Sequence, residues 1–131
     1  MLISDHLLKE LIVKNTSITE EQLDAARQQI GNDKLHLQDI VLRSNLLTEK
    51  DITKLYAKEI DIPFIELNVK EISREVLKII PENFAKQYRV VLYGVEDDGT
   101  KLLAMEDPDD IQAISFIKKQ IGDEVKISMA A

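Results

Sequence analysis

Four carboxylates, Glu106, Asp107, Asp109 and Asp110, crowd one junction between an apolar run and a helical pattern. Hard cations take several oxygen ligands, so this donor set suits a magnesium site or a phosphoacceptor. The same acids also suit a helix start. Asp107 then caps free N–H groups, Pro108 takes the first helical position, and Asp109 and Asp110 face the positive end of the helix dipole. Capping and dipole complementation account for Asp107, Asp109 and Asp110 directly, so no metal site is expected. "VEDDG" (residues 95–99) lacks the length and ligand spacing of a calcium loop and reads as a turn.

The other chemistry-bearing residues are sparse. His6 and His36 are the only histidines, and neither has an evident nucleophile to activate. Ser17, Ser44 and Ser73 fall at breaks or caps, where serine serves the local backbone. There is no Cys, which excludes disulfides, thiolate zinc sites and cysteine nucleophiles. The four glycines are scattered at turns and helix ends, and no G-x-x-x-x-G-K-[ST] is written. The reading is therefore of a non-enzymatic chain with no catalytic residue, no metal and no cofactor.

Composition narrows the partners. Residues of opposite charge number 17 basic and 24 acidic, for a net −7 at pH 7. A nucleic-acid backbone would demand a basic face, and an anionic membrane likewise. Only 5% of residues are aromatic, so stacking platforms for bases are few. No apolar run approaches the roughly 18 residues that span a bilayer. "MLISDHLLKE" carries acids where a signal peptide would be basic. These features predict a cytoplasmic protein that takes neither nucleic acid nor direct membrane insertion.

The elements that must position these residues begin with helical spacing of Leu7, Leu8, Leu11 and Ile12, predicting a helix over about Asp5 to Lys14. Thr19 and Gln22 form a capping box stapled by Ile18 and Leu23, opening a helix that stops at Gly31. A shift of 29 carries Leu8, Leu11, Ile12, Ile18, Thr19 and Leu23 onto Leu37, Ile40, Val41, Leu47, Thr48 and Ile52. Residues 1–62 thus read as two tandem helix-turn-helix units, each too small to bury its own apolar face.

Residues 63–131 change texture. "FIEL" (64–67) reads as a short strand, Ser73 and Pro81 open short helices, and Asp98-Gly99 marks a hairpin between "RVVLYGV" and "KLLAM". A helix follows, with Ile111, Ile114, Ile117 and Ile121 on its buried face and Ala113 and Phe116 widening it, and "EVKISMA" is a last strand. The predicted class is α+β: N-terminal tandem helical hairpins packed with a small three- to four-stranded sheet and helices.

The order "SITEEQLDAA", "NLLTEKDI", "IPFIEL", "IIPENFAKQYRVVLY", "KLLAMEDPDD" and "KISMA" resembles the N-terminal domain of type II secretion and type IV pilus assembly ATPases. In that family the domain precedes a motor that carries the P-loop. The resemblance implies a docking and regulatory module whose partners are its own ATPase domain and the cytoplasmic part of an inner-membrane platform protein. It also implies peripheral recruitment to the inner membrane through that partner.

A subset of the family binds cyclic di-GMP through the tandem units, with a pattern similar to R-L-G-[ED]-x-L-[IV]-x-x-G-x-[IL]-[ST] in each copy. Here Leu7, Lys9 and Thr16 stand at the arginine and the two glycines of the first copy, and His36, Gln38 and Asn45 at those of the second. Both arginines and all four glycines are replaced, while apolar and capping positions stay. Leu7, Lys9, His36, Gln38 and Arg43 mark where a nucleotide would sit, with Lys9, His36 and Arg43 as its only charge. The expectation is scaffold kept for docking.

Overall fold

A computed structural model describes residues 1–131, which form two compact units, Met1–Ile60 and Asp61–Ala131. The first holds four helices, α1 (Asp5–Asn15), α2 (Glu20–Ile30), α3 (Leu37–Arg43) and α4 (Glu49–Glu59). Both predicted capping boxes form. The Thr19 side chain accepts from the Gln22 amide while Gln22 accepts from the Thr19 amide, and Thr48 and Asp51 do the same. Gly31 ends α2 at φ 72°, a left-handed position that suits a residue without Cβ.

The two hairpins share one core. Leu8, Ile12 and Leu23 of the first copy pack with Leu37, Val41 and Ile52 of the second, and the staple residues Ile18 and Leu47 border them. Helix α1 packs on α3 and α4, and α2 on α3. Neither copy closes a core alone.

The copies nevertheless differ at the ends of their first helices. Ser4 caps α1 through its own side chain, whereas His36 before α3 offers no side-chain cap. Asp5 of α1 supplies it instead, its Oδ1 accepting from the Leu37 amide at 2.9 Å. At the other end Thr16 leaves α1 extended, while Asn45 leaves α3 left-handed at φ 59°. The Leu46 amide donates to the Val41 carbonyl and the Asn45 amide to that of Leu42, the paired bonds of a Schellman ending.

The second unit contains α5 (Arg74–Leu77), α6 (Glu82–Tyr88), β1 (Val90–Val95), β2 (Lys101–Met105), α7 (Ile111–Ile121) and β3 (Val125–Met129), with one 3-10 turn at Val69–Glu71. The sheet order is β1-β2-β3, antiparallel then parallel. Val90, Leu92, Leu103 and Met105 face Ile80, Phe84, Ala113 and Ile117 across one core. The hairpin turns where predicted: Gly99 at φ 91° donates to the Glu96 carbonyl, and Asp98 accepts from the Thr100 amide at 2.9 Å.

Three local expectations are corrected. Phe64 to Leu67 is no strand: Phe64 makes a single parallel bridge to Met129, flanked by bonds between Met129 N and Pro63 O and between Ile65 N and Met129 O. Asp107 does not cap α7. Its Oδ1 accepts from the Asp109 amide, making a local turn, and Asp110 is the cap, accepting from Ala113 at 3.1 Å. The shift by three residues moves Ile111 to the first helical position, where it is 75% exposed. Ala113 and Ile117 are the buried residues of α7, Ile114 and Ile121 pack half-buried against the same core as expected, and Phe116 is 45% exposed.

Candidate functional site

The charged faces of α1 and α2 line two adjoining open cavities. The larger, about 430 Å³, is lined by His6, Lys9, Glu10, Val13, Lys14 and Glu20. The other, about 300 Å³, is lined by Asp5, His6, Lys9, Leu23, Asp24, Arg27 and Leu37. Lys9 is common to both and bonds Glu20 across the two helices. That hydrogen bond raises the Lys9 pKa above its ordinary value, with the fields of Glu20 and Asp24 adding to it.

Arg27 and the two histidines also have acidic neighbours. Arg27 reaches the Leu35 carbonyl through Nη1 at 3.0 Å and Asp5 through Nη2 at 3.5 Å. His36 Nδ1 stands 3.9 Å from Asp5 Oδ1, and His6 Nε2 lies 3.1 Å from Glu10. Of the lysines and arginine that line the cavities, Lys9 and Arg27 each have a carboxylate at hand. An anionic ligand would have to displace those carboxylates, losing about as much attraction as it gains.

Of the five positions marked in the sequence, only Lys9 lines the cavities. Leu7 is half-buried beside the helical core. Gln38 is turned to the chain start, its Oε1 accepting from the Ile3 amide and its Nε2 donating to the Met1 carbonyl. His36 precedes α3, and Arg43 is exposed in that helix's last turn. Asp5 and Arg27 were missed. Their contacts span 32 and 22 residues of sequence, Asp5 to Leu37 and Arg27 to Asp5, so no local spacing announces them. No three acids, histidines or cysteines are arranged to hold a metal ion.

The second unit offers a different surface. Ile80, Pro81, Asn83 and Phe84 of the α6 entry face Phe116, Ile117, Gln120 and Ile121 of α7 across an apolar groove of about 160 Å³. Phe84 and Phe116 stack with centroids 4.6 Å apart and ring planes at 21°. No helix of the chain is long and apolar enough to cross a membrane.

Comparison with known proteins agrees with this architecture. The type IV pilus assembly ATPase PilB of Myxococcus xanthus (strain DK1622) is 25% identical over 125 residues, which is 95% of this chain but 22% of PilB. This chain therefore spans about a fifth of that relative. A solved structure of MshE with cdg matches at TM-score 0.67 and 25% identity, covering 94% of this chain and 88% of that one. The N-terminal domain of XpsE shares the fold, at TM-score 0.55 and 19% identity over 99% of this chain and 90% of that one. The MshEN domain model matches residues 60–131, more than half of the sequence, and the chain belongs to the MshEN domain family.

Proposed function

We propose that this chain is a non-catalytic docking and regulatory domain of a secretion or pilus-assembly ATPase, and that it binds the cytoplasmic part of an inner-membrane platform protein. The observation that carries the reading is the likeness to PilB along 95% of the chain, together with a fold shared with the XpsE N-terminal domain. A domain occupying about a fifth of such a relative has the size of an accessory module beside a motor. Recruitment to the membrane would then pass through the partner. Titration calorimetry against the platform protein's cytoplasmic domain tests this. Binding is expected; its absence for both this chain and the intact ATPase would end the proposal.

A second reading, cyclic di-GMP sensing, is favoured by the similarity to MshE with cdg. Against it stand the paired cations Lys9 and Arg27 and the Gln38 side chain committed to the chain start. Binding weaker than about 100 μM, or none, is expected in the same calorimeter. Micromolar affinity needs about 8 kcal/mol of contacts and would establish the sensor.

A further inference from the structure

The α6–α7 groove has a charge setting unlike the rest of the chain. Residues 78–86 and 116–121, which supply its lining, contain four lysines (78, 86, 118, 119) and one glutamate, whereas the whole sequence carries 17 basic and 24 acidic residues. Lys86 pairs with Glu82, an exposed helix pair of little strength. Lys78 precedes the first lining residue, Ile80, by two residues, and Lys118 and Lys119 lie between Ile117 and Gln120 in sequence. Phe116 and neighbouring Ile79 are 45% and 38% exposed. Lysines next in sequence to the lining of an apolar socket, in a chain of net negative charge, are complementary to one kind of segment.

We infer that this groove is the docking surface for the partner, and that its occupant is an amphipathic segment with one bulky apolar anchor flanked by Asp or Glu. A cavity of about 160 Å³ has room for a single Leu- or Phe-sized side chain. The anchor would seat against the Phe84–Phe116 stack, and the flanking carboxylates would meet the lysines. Burial of an aromatic-lined anchor is where interface energy concentrates, while border charges set encounter rate and salt dependence.

The inference rests on the docking reading above, and its test separates the two. Wild type, Phe116→Ser and the double variant Lys118→Glu/Lys119→Glu are titrated with the platform protein's cytoplasmic domain, each first shown folded by circular dichroism and thermal melting. Phe116→Ser is expected to weaken binding tenfold or more, and Phe116→Leu to restore most of it. The charge reversal should weaken binding several-fold at low salt and less at high salt. Wild-type binding unchanged in both variants would overturn the groove and leave docking intact. No binding by wild type or by the intact ATPase would remove the docking reading and this occupant with it. Concentration-dependent dimerisation in ultracentrifugation, abolished by Phe116→Ser, would assign the groove to a second copy instead.

Discussion

Asp51 receives the Thr48 amide and holds its proton weakly, its pKa lowered first by that backbone bond and then by the Thr48 hydroxyl. A depressed carboxylate stabilises the fold fully above its unfolded pKa of about 3.9 and loses that contribution as pH falls through its lower folded value. Asp98, lowered by the Thr100 amide, behaves alike. Asp51→Asn should therefore lower stability near neutrality and matter less below about pH 4, so that the acid limb of the stability profile flattens. Urea melts between pH 2.5 and 7 check it; an unchanged acid limb would show that the box does not titrate with folding. Lys9 has the opposite sign. Its raised pKa contributes stability below the ordinary lysine value and loses it as pH climbs through the folded one.

The acid cluster before α7 yields a sharper comparison. Asp110→Ala removes the observed cap and should cost about 1 kcal/mol in urea unfolding. Asp107→Ala breaks only a local turn bond and should cost less. The reverse order would mean that the helix begins at Asp107 after all. Both aspartates satisfy the sequence rule, and Pro108 suits a first helical position, so local pattern alone does not choose between them. The choice follows from the backbone at 107–110, where the Asp110 amide turns back to the Asp107 carbonyl.

At the scale of elements, the ends of α1 and α3 carry the difference between the copies. Asn45 lies at φ 59°, where an L-residue other than Asn or Asp is disfavoured by roughly 1–2 kcal/mol. Asn45→Gly should hold or slightly raise stability, and Asn45→Val should lower it by at least about 1 kcal/mol. Thr16→Gly, at an extended position, should instead destabilise, and thermal melts of the three variants compare them. The resemblance places a glycine where Asn45 stands, and Asn45 adopts a left-handed backbone that an Asn side chain tolerates.

Legibility in the sequence follows the range of the interactions. Thr19 and Thr48 with their partners three residues on were readable because a capping box is local. The β1–β2 turn was readable through Asp98-Gly99 for the same reason. Phe64 to Leu67 misled because its apolar residues carry strand propensity, yet only Phe64 finds a bridge partner. Ile111 misled because its spacing matches the buried stripe, although the cap lies at Asp110 and leaves it in the first turn. In the candidate site, Lys9, marked in the sequence as a nucleotide-site position, lines both cavities. Asp5 and Arg27 depend on tertiary contacts that leave no periodic trace.

For the whole molecule, the shared helical core predicts how far the chain can be cut. Leu8, Ile12 and Leu23 need Leu37, Val41 and Ile52 to cover them, so residues 1–31 alone should show little helix in far-ultraviolet circular dichroism. Residues 1–60 should show cooperative unfolding. A stable helical 1–31 would contradict the common core.

The Asp5 bond to the Leu37 amide bears on how the duplicated hairpins can be rearranged. Each copy has ceased to be self-sufficient: the first lends its opening acid to the second, which has no capping side chain of its own. Exchanging their order, or joining two copies of the second, would leave an α3 start with its N–H groups facing solvent. Duplicating the first would give two self-capped helices but no Asn45 turn. What began as a repeat now works as a matched pair of unlike parts, which engineers could shuffle only by transplanting both ends together.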